Sequence, residues 1–401
     1  MFENLDLVIL AGGLGSRLAE ITKNIPKSML KFKKYTFIDY LLMQYSKYSF
    51  KRVFIIAGYK GDKIYNKYDK KKINLTEIRV LKESEQRGTG QALLLIKKKI
   101  SKKFILINGD SIFDIDIQKF LDFCKNKDTG CIALSKKNSY KKNKILNNIS
   151  INRGKVIFSK NSKFMNGGIY FLSKKIFRYF PKKKEISFEN DVLKKLIIKN
   201  KISGIIFKSF FLDIGTRENY IKAKKVIPKK FLKPAVFLDR DGVINHDFRY
   251  VNKYKDFKFR KNVLEGLRFL VKKNYYIFIV TNQSGIGKAI FPEKNFLFLH
   301  KKLNKILAKQ GIFFNDIKYS PFHLNSKIKK YKKNSIMRKP GNGMIKELFK
   351  LWNIKKKGSF VIGDKVSDCL MAKKSKLYFE YAKLDFNKQI KKIHKKFSQI
   401  A

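Results

Sequence analysis

The sequence predicts an α/β protein of two domains, each a sheet with helices packed on it. Three observations carry this expectation. Short β-rich runs alternate with amphipathic segments along most of the chain, the pattern of strands joined by crossover helices. The alternation breaks at Ile227-Pro228-Lys229-Lys230-Phe231-Leu232-Lys233-Pro234 and then begins again. At 401 residues the chain is too long for one small core and comfortable for two.

The first series places strands over Leu7–Ala11, Arg52–Ala57, Lys103–Asn108 and Gly168–Leu172, with an amphipathic segment over Phe37–Lys47 among them. Strands spaced by helices argue for a largely parallel sheet covered on both faces. The break holds two prolines and three lysines with no helical period. It reads as a short linker, residues 229–234, between a first domain of 1–228 and a second of 235–385. The second series begins with a strand over Ala235–Leu238 and continues with Tyr276–Thr281 and Ser359–Ile362. Residues 386–401 read as a basic tail, and there is no internal repeat.

Composition narrows the function classes. An apolar content of 44% is ordinary for a globular chain. No apolar run approaches the roughly 18 residues of a membrane span, so no membrane insertion is expected. Met1-Phe2-Glu3-Asn4 puts no basic stretch ahead of an apolar run, which argues against a signal peptide. Cys124, Cys131 and Cys369 show no paired spacing, pointing to a reducing compartment and a cytoplasmic location. Lys+Arg number 92 against 31 Asp+Glu, a net charge of +61. The lysines spread along the whole chain, whereas a nucleic-acid surface clusters its cations or interleaves them with aromatics. No specific nucleic-acid partner is expected; the field would aid capture of phosphorylated substrates. Oligomeric state stays open.

The first candidate site begins where strand one runs into Ala11-Gly12-Gly13-Leu14-Gly15-Ser16-Arg17. Glycines at a strand-to-helix turn let the backbone approach a ligand, and the N–H groups there can cradle phosphate. Arg17 can add charge-assisted bonds. Further along come Pro26-Lys27-Ser28-Met29, Glu85-Gln86-Arg87-Gly88-Thr89-Gly90-Gln91, Asn108-Gly109-Asp110, Asn166-Gly167-Gly168, Ser187-Phe188-Glu189 and Asp213-Ile214-Gly215. In this order the motifs resemble the sugar-phosphate nucleotidylyltransferase family over residues 5–226. The resemblance implies a Rossmann-like mixed-sheet nucleotidyltransferase fold. It also implies attack of a sugar-1-phosphate oxygen on the α-phosphorus of a nucleoside triphosphate, expelling pyrophosphate. By the same resemblance Asp110 and Asp213 hold Mg²⁺, and Arg17 and Lys27 neutralise phosphates. Ala11, Gly12, Gly13, Gly15, Gly88 and Thr89 line the nucleotide, while Asn166, Gly168 and Glu189 meet the sugar. Arg87 and Gln91 replace commoner family residues beside the base pocket, which leaves the base open on motifs alone.

The second site opens with Phe237-Leu238-Asp239-Arg240-Asp241-Gly242. Two aspartates one residue apart at a strand end can divide roles, one as nucleophile and one as proton carrier. Val280-Thr281-Asn282-Gln283, Arg338-Lys339-Pro340 and Gly363-Asp364-Lys365-Val366-Ser367-Asp368 follow. This order resembles the haloacid-dehalogenase superfamily of phosphatases over residues 235–375, in a capless Rossmann-like form. The resemblance implies Asp239 as nucleophile, Asp241 as acid and base, and Thr281 and Lys339 on the phosphoryl oxygens. Mg²⁺ would be held by Asp239, Asp241 and Asp364, with Asp368 orienting Lys339 or capping a helix. Lys365 is a weaker candidate.

The stretch from Asp239 to Phe291 is most similar to heptose bisphosphate 7-phosphatases and the related histidinol phosphatases. Such relatives often carry a zinc loop before the Arg-Lys-Pro motif. Here Ser320, Phe322 and His323, then Ser335 and Met337, stand in the corresponding places, so no zinc is expected. Arg338 is expected on the sugar. The pairing of heads implies a sequence: the phosphatase yields heptose 1-phosphate and the transferase activates it, with GTP as the nucleotide by resemblance to the guanylyltransferase branch. A hexose-1-phosphate transferase with a phosphatase of other specificity, and a basic nucleic-acid-binding protein on a retired scaffold, are the alternatives.

Overall fold

The computed structural model describes residues 2–13, 15–136 and 148–399. The chain forms two compact units: Met1–Gln44 with Phe50–Ile227, and Tyr45–Ser49 with the chain from Pro228 onward.

In the first unit ten strands form one mixed sheet. Its order from one edge is Ile149–Asn152, Lys155–Phe158, Ile202–Phe207, Gly130–Lys136, Phe164–Ser173, Lys103–Asn108, Asp6–Leu10, Arg52–Ala57, Thr76–Lys82 and Lys72–Ile73. The strands from Lys103–Asn108 to Thr76–Lys82 run parallel. Their central residues are apolar on both faces, and Leu7, Val8, Ile9, Ile55 and Leu106 are fully buried, as a sheet covered on both sides requires. The C-terminal ends of these strands therefore line up on one edge, and the loops leaving them carry the motifs. Strand Phe164–Ser173 is antiparallel to both neighbours, which makes the sheet mixed, and its register breaks between Asn166 and Ile169. Gly168 sits in that break at φ +72°, where a side chain would be strained. A separate ladder pairs Ser111–Phe113 with Phe211–Asp213, antiparallel, with Asp213 opposite Ser111.

The second unit holds five parallel strands in the order Asp316–Ser320, Tyr276–Asn282, Ala235–Leu238, Phe360–Gly363 and Tyr378–Tyr381. Ala235–Leu238 is central and wholly buried. The chain moves from it to one side and later returns to the other, so the switch point lies between Ala235–Leu238 and Phe360–Gly363. Ligands of open α/β sheets bind at the carboxyl ends of strands beside such a point.

Two segments differ from the sequence reading. Helix Arg217–Phe231 continues through Pro228 and takes up residues 229–231, expected as linker. A proline inside a helix costs about 3 kcal/mol; here Ile227 and Phe231, one turn apart, are both buried. The basic tail is a helix over Phe386–Ser398, capped by the Asp385 side chain accepting from Lys388 N. Phe386, Ile390 and Ile393 are buried, and the helix packs on helix Val263–Lys272. There Gly266 makes room, since a methyl at that position would come within 2.4 Å of the Phe386 ring.

Candidate active sites

In the first unit the glycine loop leaves strand Asp6–Leu10 and Asp110 follows strand Lys103–Asn108, its neighbour in the sheet. The small ladder brings in Asp213 from 103 residues further along: Ile214 N donates to Asp110 O at 2.9 Å. Lys27 Nζ donates to Asp110 Oδ2 at 2.5 Å. Asp213 accepts from Gly215 N at 2.9 Å and from Asn219 Nδ2 at 3.1 Å. Gly215 marks where these groups converge. A methyl there would stand 2.9 Å from Asp213 Oδ1, 3.2 Å from Arg17 Nη2 and 3.5 Å from Lys27 Nζ. Two carboxylates and two cations from four separate motifs thus meet in one place. The carboxylates offer oxygen donors suited to a hard divalent cation, with further positions left for phosphate and water.

A pocket opens beside this cluster, lined by Ala11, Gly13, Lys27, Asn108, Asp110 and Glu189 among others, with Thr89 and Phe188 on its wall. Glu189 stands on a π-helical turn, Phe188–Leu193, whose first residue donates its N–H to Thr89 Oγ1 at 3.0 Å. Asn108 Nδ2 donates to Glu189 Oε1 at 3.4 Å. Asn166 is turned toward its own strand: Oδ1 accepts from Gly168 N and Nδ2 donates to Tyr170 OH. Gly168 lies close to Asn108, 2.9 Å from Nδ2 for an added methyl. Thr89, expected on the nucleotide, lines the same pocket as Glu189, expected on the sugar, while Asn166 and Gly168 are not among its lining residues. Gly15 and Gly88 both have positive φ, and a methyl on Gly88 would strike Ile186 O at 2.5 Å. Gly12 packs against Gly58 and lies under the carboxylate of Glu83, a residue the motif reading passed over. Burial pushes Glu83 up to about 7.

The second unit's site is buried. Lys339 Nζ stands 2.6 Å from Asp239 Oδ2 and 2.6 Å from Asp368 Oδ1. Asp368 also accepts from Lys365 N at 3.1 Å, so it caps helix Val366–Lys374 and fixes the lysine together. Burial alone would lower the Lys339 pKa, but Asp239 and Asp368 outweigh it and hold the ammonium charged. Asp239 is pushed up by burial, against the pull of Lys339. Asp364 is raised to about 6 by burial and by Asp239. Oxygens of Asp239, Asp364 and Asp368 lie within 4.8 Å of one another, and Asp364 Oδ1 is buried without a hydrogen bond among the described residues. Three carboxylates beside Lys339 and the more distant Lys365 leave a net negative charge, and a divalent cation fits that deficit.

Asp241 lies outside this cluster. Its carboxylate accepts from Arg240 Nε and Nη2, from Asn245 Nδ2 at 2.9 Å and from Gln283 Nε2 at 3.0 Å. Arg240, Asn245 and Gln283 all donate N–H groups to this carboxylate, which fixes its direction. Gln283 also donates to Thr281 Oγ1 at 3.0 Å, tying the two expected catalytic residues together. Arg240 and Gln283 went unassigned in the motif reading because their work depends on side-chain direction. Lys365 Nζ reaches Asp247 at 3.0 Å and Asp364 at 3.8 Å. Arg338 Nη1 donates to Phe322 O at 3.2 Å, and Glu293 accepts from the hydroxyls of Tyr319 and Tyr331, which fastens the loop ahead of Lys339. His323 Nδ1 accepts from Asn325 N.

Residues 7–230 match the family model described as Nucleotidyl transferase, and residues 237–398 match that described as Polynucleotide kinase 3 phosphatase. The chain is 42% identical over 144 residues to a D-glycero-beta-D-manno-heptose-1,7-bisphosphate 7-phosphatase of Photorhabdus laumondii, covering 36% of this chain and 77% of that protein. It is 39% identical over 141 residues to the protein of the same name in Rhodopseudomonas palustris, covering 35% and 78%. Against a D-glycero-alpha-D-manno-heptose 1-phosphate guanylyltransferase of Campylobacter jejuni it is 33% identical over 220 residues, 54% of this chain and 97% of that one. With these matches laid on the two sites, the chain is a two-headed enzyme that belongs to the nucleotidyl transferase family through its first unit and to the phosphatase family of those relatives through its second.

Proposed function

We propose that the second unit hydrolyses the 7-phosphate of a D-glycero-D-manno-heptose 1,7-bisphosphate and that the first couples the resulting heptose 1-phosphate to GTP. The observation that carries the phosphatase role is Lys339 held between Asp239 and Asp368 beside Asp364. Asp239 attacks phosphorus, the bond from phosphorus to the sugar oxygen breaks, and Asp241 delivers a proton to that oxygen. Water then attacks the aspartyl-phosphate, Asp241 takes its proton, and inorganic phosphate leaves. Lys339 and Thr281 bind the oxygens of the transferring group. Mg²⁺, held by Asp239 and Asp364, would supply charge neutralisation.

In the first unit the sugar-phosphate oxygen attacks the α-phosphorus and the bond to the β-phosphate breaks, releasing pyrophosphate. Such a reaction rests on positioning and charge compensation. Lys27 and Arg17 meet the phosphate oxygens, and Asp110 and Asp213 would hold Mg²⁺ there. Glu189 and Asn108 face the sugar. Three cysteines without a disulfide and nucleotide substrates support a cytoplasmic setting.

The phosphatase relatives bear a β label at C1 and the guanylyltransferase relative an α label. Hydrolysis at C7 leaves the C1–O bond intact, so the anomer that enters is the anomer handed on. Heads working in series must share it, and the proposal is the α form. Phosphate release from the α- and β-bisphosphates with Mg²⁺, followed by addition of GTP, ATP, CTP and UTP in turn, tests both steps. Release from the α form and a sugar nucleotide with GTP is the expected result; turnover of the β form alone would contradict the shared pathway.

A further inference from the structure

Arg240 stands between the two aspartates that follow strand Ala235–Leu238, and it is fully buried. Its backbone N–H donates to Asp239 Oδ1 at 2.7 Å, while its side chain grips Asp241. Nε stands 3.1 Å from both Asp241 oxygens, and Nη2 stands 2.9 Å from Oδ1 and 2.7 Å from Oδ2. Nη2 also donates to Val251 O at 2.7 Å. One residue thus sets the proposed nucleophile with its main chain and the proposed acid with its guanidinium.

The guanidinium has little freedom. The Phe296 ring lies against it, with Arg240 Cζ 5.6 Å from the ring centre. His300, one turn on along helix Glu293–Ala308, is fully buried and packs on Phe296 with ring centres 4.4 Å apart. Burial and the charge of Arg240 hold His300 well below its ordinary pKa, so it adds no second cation there. Among the described residues Asp241 is the one carboxylate in ion-pair contact with Arg240. Were Asp241 to swing away, a fully buried cation would lose that counterion, which is costly in a protein interior. Asn245 Nδ2 on Oδ1 and Gln283 Nε2 on Oδ2 hold the carboxylate in the same place.

We infer that Arg240 is a positioning residue that keeps Asp241 pinned while it carries the proton, so that the leaving oxygen comes to the carboxyl. The inference rests on the proposed phosphatase reaction and adds the group that sets its acid. There the bond from Asp239 to phosphorus forms as the bond from phosphorus to the sugar oxygen breaks, and the Asp241 proton passes to that oxygen. Water then gives a proton back to Asp241 as its own oxygen bonds to phosphorus. A sugar alkoxide leaves poorly without a proton, whereas p-nitrophenolate needs none. Loss of Arg240 should therefore weigh on a sugar phosphate far more than on an aryl phosphate.

The test measures kcat/KM of the full-length enzyme with Mg²⁺ on heptose 1,7-bisphosphate and on p-nitrophenyl phosphate, a constant that reads the steps up to the aspartyl-phosphate. Arg240→Met is expected to lose about 10²-fold on the bisphosphate and about threefold or less on the aryl ester. Arg240→Lys keeps the buried charge without the paired donors and is expected to show the same split at about 10-fold. It carries the test where Arg240→Met does not fold. In an Asp241→Asn background, adding Arg240→Met is expected to change the bisphosphate rate by about twofold or less, because the residue it acts through is gone. Equal losses on both substrates, or a full further loss in the Asp241→Asn background, mean a structural role alone and overturn the inference while leaving the phosphatase reading intact. A wild type that leaves the bisphosphate uncleaved removes the proposed phosphatase reaction itself and the inference with it.

Discussion

The two heads handle charge in opposite ways. In the phosphatase unit Lys339, Asp239 and Asp368 have side chains only 2%, 7% and 1% exposed, and the lysine Nζ lies 2.6 Å from each carboxylate. In the transferase unit Asp110 is 39% exposed beside Lys27, and Arg17 is exposed. The chemistry explains the contrast. A carboxylate that must form a bond to phosphorus benefits from a dry, fixed setting. A site that must admit two phosphorylated substrates and align them stays open, and its order is completed by the ligands. The phosphatase triad is wholly buried, whereas at the transferase site Lys27 and Asp213 are buried and Asp110 and Arg17 face solvent.

The largest effect that would sharpen this contrast is loss of the proposed nucleophile. Asp239→Asn is expected to lower phosphate release by roughly 10⁴-fold or more, while sugar-nucleotide formation from supplied heptose 1-phosphate stays within about twofold. A parallel fall in the second rate would break the picture of separate sites. Next, Lys27→Met should cut the transferase rate by about 10²–10³-fold and leave phosphate release untouched; assaying both activities on one preparation checks it. Gly215→Ala should have a smaller effect. The added methyl stands 2.9 Å from Asp213 Oδ1 and 3.2 Å from Arg17 Nη2, so we expect about a 10-fold loss of transferase kcat/KM from displacement alone. Wild-type kinetics in that variant would mean the open site tolerates rearrangement that its geometry forbids.

The smallest effect on rate is expected at the carboxyl-terminal helix. Ile390→Ala removes a fully buried side chain from the carboxyl-terminal helix and should destabilise the second unit by about 3 kcal/mol. Chemical denaturation followed by phosphatase activity would read this, with kcat of the folded fraction unchanged. A variant as stable as wild type would return residues 386–401 to the status of a loose tail.

Much of each candidate site was legible as a motif because strand ends and the loops that leave them are local in sequence. The Gly12–Arg17 turn, Asp239 and Asp364 announce themselves by residue type at the end of an apolar run. What a linear reading could not give is which strand ends become neighbours. Asp213 reaches Asp110 through a small ladder between segments about a hundred residues apart. The grip of Arg240, Asn245 and Gln283 on Asp241 depends on side-chain direction. The last helix was legible by the same rule and was passed over as a basic tail: Phe386, Ile390 and Ile393 keep helical spacing, with lysines on the opposite face. Helix Arg217–Phe231 overrode Pro228, because buried positions on either side hold the turn.

The most direct test of two heads working in series is one reaction with α-heptose 1,7-bisphosphate, GTP and Mg²⁺, run with wild type and with Asp239→Asn. The expected result is GDP-heptose from the wild type and none from the variant, with formation restored in the variant when heptose 1-phosphate replaces the bisphosphate. GDP-heptose bearing a retained 7-phosphate, formed equally by both proteins, would contradict the order of the two steps.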